Sequence, residues 1–498
     1  MTFSESSPKP TEKDSYKQFS GFQLFYQLTY MSAIAAAGLS RGRIFELAAK
    51  LSTTVAHYFE DVQQLVESFH YDYPRACRIV GEQAKEDEVK SFLLRTSDAL
   101  DSGEPLDAFL AREAGAQGEE YANEYERNLD SLKKWTDAYA SLTVSQSLIV
   151  IINLISTMIY DMGTGLVLGF VIAAVAFTLF GDWVLSRAAP QERMTVAPPG
   201  GSPDQLLARR LFLYAFPAAV ILNGVLYLAG VSWPWLLLLS ALLIAPIGVI
   251  SMRSDNKVTE KEVAFGPFLR SLGGMSSSTG TTLTEALAQI DLNSFPSLKD
   301  DVATLTMRLR ARIDPWLCWQ RFSWETGSQL ITEAVRIFHD AVQLGGDPEE
   351  ISNLCSMFTT KVALLRAKRH AVAATFNWLT IVMHAALSVL LLLILNIVTS
   401  FRGLITDIVD PNVAEKAMSS LGIPLLNYDG GQMAMLNYMT IGMVMVLIVA
   451  NAIAIIASDG GFKYKVCLYL SLLMGISSVG FFIVPPVVQS VLAQAMSG

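Results

Sequence analysis

The segment at 374–400 reads ATFNWLTIVMHAALSVLLLLILNIVTS, in which His384 is the sole ionisable side chain. An α-helix rises about 1.5 Å per residue, so about 20 apolar residues cross the hydrocarbon core of a bilayer. This segment is therefore predicted to cross a membrane once. Three further hydrophobic stretches, at 142–186, 211–251 and 434–492, are too long for a single crossing.

Glycine-containing breaks divide these three long stretches. The breaks lie at 161–165, 230–234 and 458–461, and with the segment above they predict seven transmembrane helices. The predicted spans are 142–160, 165–185, 211–229, 234–251, 374–400, 434–457 and 466–492. The chain is thus predicted to be an all-α, polytopic integral membrane protein.

The charged residues are concentrated outside these spans. The blocks 1–141 and 252–372 together hold 29 of the 37 basic and 37 of the 46 acidic residues, while 52% of the whole chain is hydrophobic. This partition excludes a soluble enzyme built around one buried core. Because basic residues are retained in cytoplasmic loops, the basic runs at 187–210 and 366–370 predict a cytoplasmic N-terminus and an external C-terminus. The expected location is the cell membrane.

Both polar blocks are predicted to be helical bundles, because their apolar residues recur at helical spacing. The predicted organisation is a disordered tail at 1–20, a first cytoplasmic helical domain at 21–141, spans 1–2 within 142–186, a flexible cytoplasmic linker at 187–210, spans 3–4 within 211–251, a second cytoplasmic helical domain at 252–372, span 5 at 374–400, an external loop at 401–433 and spans 6–7 within 434–492. The cysteines form no close pair, and no G-x-x-x-x-G-K-[ST] phosphate loop occurs. No catalytic, cofactor or metal site is therefore predicted.

Two glycines of the second span predict a close helix contact. Gly165 and Gly169 are four residues apart, a spacing that lets two helices approach closely. Packing inside the protein is the preferred interpretation, and a seam between two copies is the alternative.

A histidine and a serine inside the spans support a rival function. Ionisable groups are costly in lipid, which makes His384 a candidate functional residue. Ser477 follows a glycine two residues earlier and lies at a similar predicted depth, so an intramembrane serine protease using Ser477 and His384 is the alternative hypothesis. A transporter is disfavoured, because charged groups are nearly absent from the middle of the spans.

Five phrases in a fixed order carry a family resemblance. They are FYQLTYMSAIAAAGLS at 25–40, AFGPFLRSLGG at 264–274, IDPWLCWQRF at 313–322, GSQLI at 327–331 and FHDAVQLGGDP at 338–348. In this order, between these spans, the chain resembles the membrane platform proteins of type IV filament machines, which share the type II secretion system F domain. These machines include type II secretion systems, type IV pili and archaella, and the archaellum and archaeal pilus branch is the most similar.

This resemblance implies a platform rather than an enzyme. Such a protein couples a cytoplasmic hexameric ATPase to the insertion of pilin-like or archaellin subunits, and so to filament assembly, rotation and motility. The implied partners are that ATPase, the filament subunits, the lipid bilayer and further copies of the chain, with no nucleic acid.

The resemblance and the charge pattern together select candidate ATPase contacts in 252–372. Arg308 and Arg312 are four residues apart and are predicted to share a helix face, while Arg310 points elsewhere. The other candidates are Arg321, Arg336 and the turn formed by Gly345, Gly346, Asp347 and Pro348. The alternative is that the arginines pair with nearby aspartates and that the turn only joins two helices. The run at 366–370 is predicted to be a positive-inside anchor.

Overall fold

The computed structural model describes residues 20–159, 164–197, 200–408 and 430–497. Its helices are α1 (Ser20–Ala36), α2 (Arg41–Ala49), α3 (Ala56–Phe69), α4 (Tyr73–Gln83), α5 (Asp87–Ser102), α6 (Leu106–Ile159), α7 (Thr164–Ala188), α8 (Pro203–Leu228), α9 (Trp233–Thr279), α10 (Leu283–Gln289), α11 (Lys299–Arg310), α12 (Pro315–Thr326), α13 (Gln329–Gln343), α14 (Pro348–Ile408), α15 (Gly430–Asp459) and α16 (Val466–Ser497). Two short 3-10 turns lie at Leu292–Ser294 and Lys463–Lys465. Among the described residues the one β-bridge joins Thr195 and Ser328, so the predicted all-α class is confirmed.

Seven helices of the described chain are long and apolar enough to cross a membrane, which confirms the predicted polytopic architecture. They are α6, α7, α8, α9, α14, α15 and α16. Three of them are much longer than the predicted spans: α6 has 54 residues, α9 has 47 and α14 has 61. The predicted disordered tail, most of the break at 161–165 and most of the external loop lie outside the described residues.

The chain divides into two compact units. The first, here called the polar unit, comprises Met1–Arg127, Pro190–Ser202 and Asn256–Ala367. Helix α13 lies at the core of this unit, and α1 and α12 pack against it. Residues from both predicted cytoplasmic blocks contribute to this one core, as the contacts of Phe25 with Tyr121 and Phe358 illustrate.

Part of the predicted linker pairs with the polar unit. Val196 donates its amide to the Gly327 carbonyl at 3.3 Å, and Gln329 donates to the Met194 carbonyl at 3.1 Å. Met194 and Val196 are both buried. This stretch is therefore held by main-chain hydrogen bonds and apolar burial, which the glycine- and proline-rich sequence beside it did not reveal.

The second unit, here called the membrane unit, comprises Asn128–Ala189, Pro203–Asp255 and Lys368–Gly498. Two of its helices approach closely at Gly248, where a Cβ atom would lie 2.2 Å from the Leu468 amide nitrogen. The internal contact predicted at Gly165 and Gly169 is not found, because a Cβ atom at either would meet no described atom within 4 Å. Both glycines face outward, so the seam between two copies stays a prediction.

Adjacent glycines of α9 in the polar unit provide a matched test of packing. A Cβ atom at Gly273 would lie 2.1 Å from Ser352 Oγ and 2.3 Å from the Pro348 carbonyl oxygen, whereas one at Gly274 would meet nothing within 4 Å. We expect Gly273→Ala to cost about 1–3 kcal/mol of stability through overpacking. Gly274→Ala should add up to about 1 kcal/mol, because alanine favours helix. Thermal unfolding of the two purified variants in detergent checks this, and equal midpoints would contradict it.

Candidate functional site

The turn between α11 and α12 lies within the predicted ATPase-binding region. Residues 307–317 are here called the α11–α12 tip, and those at 310–317 are all exposed. Helix α11 ends at Arg310, and Arg312 then has a φ of 57°, a left-handed conformation uncommon for a residue with a side chain. Asp314 caps α12 by accepting the Leu317 amide at 3.0 Å. The cap and the turn together define the backbone conformation of the tip, which is exposed on the polar unit.

The tip combines positive charge with apolar surface. Arg310 and Arg312 are exposed, and their side chains make no ion pair or hydrogen bond with any residue that the structure describes. The apolar side chains beside them are largely exposed, at 64% for Met307, 43% for Ile313, 38% for Trp316 and 53% for Leu317. An exposed patch of aromatic, aliphatic and arginine side chains has the composition of a protein-binding surface.

The prediction that Arg308 and Arg312 share a helix face is wrong, because α11 ends between them at Arg310. Arg308 instead donates two hydrogen bonds to the Glu325 carboxylate, each at 2.8 Å, and Arg321 donates a third at 3.1 Å. Burial alone would raise the pKa of Glu325, but these hydrogen bonds hold it below its ordinary value. Arg308 thus joins α11 to α12, and its hydrogen bonds to Glu325 hold the side chain within the polar unit.

The remaining candidates lie apart from the tip along the chain. Arg336 is on α13, with its Nε atom 3.9 Å from an Asp340 carboxylate oxygen. Within the described part of the chain, no ion pair or hydrogen bond joins this side chain to the tip arginines. As a partner contact, Arg336 therefore stays a prediction.

The turn at 345–348 has the predicted local geometry. Gly345 has a φ of 98°, which favours glycine, and Pro348 is the first residue of α14. The Asp347 side chain accepts the Glu349 amide at 3.3 Å, so it caps the helix. Gly346 is buried, and a Cβ atom there would lie 2.3 Å from Ile351 Cδ1. Gly345 and Asp347 are exposed and Pro348 is partly exposed, so these three are the residues of the turn that a partner can reach.

A buried ion network in the polar unit centres on Arg366. Its guanidinium donates to Glu262 Oε1 at 2.6 Å and to Glu192 Oε2 at 3.2 Å, and the three side chains are 3%, 5% and 6% exposed. Ser328 Oγ donates to the same Glu262 oxygen at 2.5 Å, and Tyr125 donates to Glu192 at 2.7 Å. Arg366 was predicted to be a membrane anchor, but it links α9, α14 and the segment at 190–202.

Glu333 adds a titratable carboxyl group near this network. Its Oε1 atom accepts from Gln329 at 3.1 Å, and its buried Oε2 atom has no hydrogen-bond partner among the described residues. Burial raises the pKa of Glu333 to about 7. This shift favours the protonated carboxyl group, which limits the excess negative charge around the Arg366 guanidinium.

A second buried ion network lies in the membrane unit and centres on Lys465, which is 1% exposed. Its ammonium group donates to Asp255 Oδ2 at 2.6 Å and also to Asp459. His370 Nδ1 is 2.7 Å from the other Asp459 oxygen, and the Phe462 amide donates to Asp255 Oδ1 at 2.8 Å. The network holds the turn between α15 and α16 against α9 and α14.

The two glycines of that turn are required by close contacts. Gly460 and Gly461 have φ angles of 74° and 77°. A Cβ atom at Gly461 would lie 2.5 Å from an Asp255 carboxylate oxygen, and one at Gly460 would lie 2.9 Å from the Arg369 guanidinium carbon. Arg369 itself donates to the Ser458 carbonyl at 3.0 Å and to the Ala457 carbonyl at 3.1 Å. These bonds satisfy carbonyl groups at the end of α15.

The membrane unit also brings His384 and Ser477 together. His384 Nε2 lies 2.9 Å from Ser477 Oγ, and His384 Nδ1 lies 3.2 Å from Asn451 Nδ2. The Tyr139 hydroxyl donates to Asn451 Oδ1 at 3.0 Å. All four side chains are buried.

The direction of these hydrogen bonds argues against a nucleophilic serine. An amide nitrogen only donates, so with the Asn451 amide in this orientation His384 Nδ1 is the acceptor and the imidazole proton is assigned to Nε2. Nε2 then donates to Ser477 and cannot remove its proton, as activation of a serine requires. The protease hypothesis is therefore not supported.

Sequence reasoning missed the two ion networks for an identifiable reason. The basic run at 366–370 was visible, but its partners are far away in the chain: Arg366 pairs with Glu192 174 residues earlier, and Lys465 pairs with Asp255 210 residues earlier. The one local signal was the Asp459-Gly460-Gly461 sequence, which was used to place a break between spans.

Comparison with known proteins gives a full-length similarity. The chain is 24% identical over 497 residues to flagella accessory protein J of Methanocaldococcus jannaschii, covering 96% of this chain and 86% of that protein. It is also 24% identical over 496 residues to flagella accessory protein J of Methanococcus voltae, covering 97% and 88%. No family model and no solved structure matches the chain. The predicted resemblance to the archaellum platform proteins is confirmed.

Proposed function

We propose, on the premise of this full-length similarity to flagella accessory proteins J, that the chain is the membrane platform of an archaellum or archaeal pilus. The observation that carries the proposal is a similarity covering 96% of the chain, including the spans and the polar unit alike. The platform couples a cytoplasmic hexameric ATPase to the insertion of pilin-like or archaellin subunits. It acts as a mechanical part and performs no chemistry of its own.

The α11–α12 tip is the proposed ATPase contact. Its two exposed arginines and its exposed Trp316 provide the charge and the aromatic anchor that protein interfaces favour. Complementary charge would steer an acidic ATPase surface to the tip and fix its orientation. This proposal places the polar unit in the cytoplasm, as the distribution of basic residues predicts.

Three helices provide a route from such a contact to the membrane spans. Residues of α6, α9 and α14 belong in part to the polar unit and in part to the membrane unit. A displacement of the polar unit would be transmitted along the main chain of these helices. The buried Arg366 and Lys465 networks would keep each unit rigid while it moves.

Deletion of the gene tests the proposed function. We expect the deletion strain to lose surface filaments in electron micrographs and to lose swimming, and the wild-type gene to restore both. Loss of filaments with swimming intact would support an adhesive pilus instead. Unchanged filaments would contradict the platform proposal.

Charge reversal tests the tip. We expect Arg310→Glu combined with Arg312→Glu to weaken binding of the purified ATPase by about tenfold or more at low salt, with the difference shrinking as salt screens the charges. Swimming should fall with binding, while thermal stability stays within about 0.5 kcal/mol of wild type, because both residues are exposed.

Arg270→Glu is the control for this test, and Arg310→Glu alone is the tip variant that matches it in charge. Arg270 is also an exposed arginine of the polar unit, but it lies on α9 and outside the tip. We expect it to bind the ATPase as the wild type does. Equal effects of the tip variant and the Arg270 variant would show that net charge alone, rather than the tip, governs binding.

A further inference from the structure

The membrane unit contains a buried carboxyl group that neither ion network uses. Asp182 lies on α7 and is 7% exposed, and neither of its carboxylate oxygens is in hydrogen-bonding geometry with a described residue, although the Tyr139 hydroxyl lies close to the carboxyl group. It forms no ion pair in the described part of the chain, unlike Asp255 and Asp459, which pair with Lys465. A buried, ionised carboxylate without partners is strongly disfavoured relative to the neutral acid.

The surroundings of Asp182 are polar but uncharged. Tyr139 of α6 is its titratable neighbour, and Asn451 of α15, a helix that packs on α7, is the next group beyond it. One turn earlier on α7, Thr178 donates to Gln146 Oε1 at 2.6 Å. Gln146 Nε2 is buried without a hydrogen-bond partner among the described residues.

The nearest cation on α7 itself is engaged elsewhere. The Arg187 guanidinium lies 5.1 Å from the centre of the Trp183 ring, whose side chain is exposed. Among the described residues of α6, α7 and α15, the groups that act on Asp182 therefore supply hydrogen-bond donors and acceptors, and none of them is a cation.

We propose that Asp182 is a proton-binding site inside the membrane unit and that its protonation state selects the acceptor of the Tyr139 hydroxyl. With Asp182 protonated, Tyr139 donates to Asn451 Oδ1, as observed at 3.0 Å. When Asp182 loses its proton, the carboxylate becomes the stronger acceptor, because hydrogen bonds to ionised groups are about twice as strong. Tyr139 then turns to Asp182, and Asn451 Oδ1 loses its donor.

The consequence reaches three further helices through a continuous hydrogen-bond chain. With Tyr139 as donor, the Asn451 amide is oriented so that its nitrogen faces His384 Nδ1. Without that donor, the Asn451 amide is no longer held in this orientation, which weakens its contact with His384 and, through the imidazole, bears on Ser477. Asp182 on α7 is thereby linked to α15, α14 and α16. Asn451 cannot relay a proton, so the site binds a proton without conducting it along this chain.

Infrared spectroscopy of the purified full-length protein tests the proton. We expect a carbonyl stretch from a protonated carboxyl group at pH 7 that is missing in Asp182→Asn, and that disappears from the wild type as the pH is raised. Tyr139→Phe removes the competing hydroxyl donor and should retain the band to higher pH. If the wild type at pH 7 shows no carbonyl band of a protonated carboxyl group that can be assigned to Asp182, the proposal is overturned. The wild-type spectrum decides this even if the Asn variant folds less well.

Carbodiimide labelling gives an independent chemical readout, because the reagent adds to protonated carboxyl groups. We expect peptide mass spectrometry to find the adduct on Asp182 and not on Asp255 or Asp459, which are equally buried but paired with Lys465. Labelling should fall as pH rises. Labelling of all three residues would overturn the distinction between them. If sodium ions at constant pH protected Asp182 from labelling, the proposal of a proton-binding site would be overturned, and the ligand would be a sodium ion.

Discussion

Replacing Lys465 with methionine should lower the free energy of unfolding by about 3–5 kcal/mol, the cost of removing one partner of a buried ion pair. Methionine retains the apolar stem but leaves Asp255 and Asp459 without their shared ammonium group. Both carboxyl groups are nearly as buried as Lys465 itself. They must then take up protons or draw water into the unit, and either change loosens the turn between α15 and α16. Thermal and detergent-induced unfolding of the purified protein provide the measurement.

Two further variants make the Lys465 result specific. Lys463→Met changes the same charge in the same turn, but Lys463 is exposed, so we expect a loss below about 0.5 kcal/mol. Adding Asp255→Asn to Lys465→Met should recover part of the stability, because it removes one stranded charge. Equal losses for Lys463→Met and Lys465→Met would show that the network contributes nothing beyond a surface charge.

Replacing Arg366 with methionine should have an effect of similar size, about 3–5 kcal/mol, in the polar unit. The change leaves the buried Glu192 and Glu262 carboxylates without the guanidinium that compensates their charge. Arg366→Lys should cost less than methionine but should not restore wild-type stability. A single ammonium group lacks the planar fork that reaches two carboxylates and the Arg193 carbonyl at once.

The pH dependence of the Arg366 variant follows from the charges. A stranded carboxylate can be neutralised by a proton, so the penalty should be smaller at pH 5 and should grow towards pH 8. Thermal midpoints of the wild type and the Met variant, measured across this range, should diverge as the pH rises. Lys368→Met is the control, because Lys368 is exposed two residues further along α14. If the difference in thermal midpoint between the wild type and Arg366→Met became smaller as the pH rises, the assigned charge network would be contradicted.

The fold was predictable wherever the governing physics is local. Hydropathy over about 20 residues predicted the seven spans, because the bilayer has a fixed thickness. The turn at 345–348 was predictable because glycine favours a positive φ and proline fits the first turn of a helix. Helices α6, α9 and α14 nevertheless extend well beyond the predicted spans, since hydropathy indicates where lipid contact ends and not where a helix ends.

The candidate site was less predictable, and the arginines show why. Spacing placed Arg308 and Arg312 on one face only on the assumption of a continuous helix, and α11 ends at Arg310. Spacing also could not show that Glu325 would bind Arg308 and leave Arg310 and Arg312 exposed. The preferred packing role of Gly165 and Gly169 failed similarly, because a small-residue motif does not specify its partner.

The sequence by itself determined an all-α membrane protein with seven spans and a resemblance to archaellum platform proteins, because composition, helical periodicity and motif order are properties of neighbouring residues. Only the tertiary structure decided which charges are buried and what they bind. Lys465 meets Asp255 across 210 residues of chain, and the basic run at 366–370 is divided between two networks. A buried charge is stable only beside a compensating partner, and the fold alone determines which partner is near.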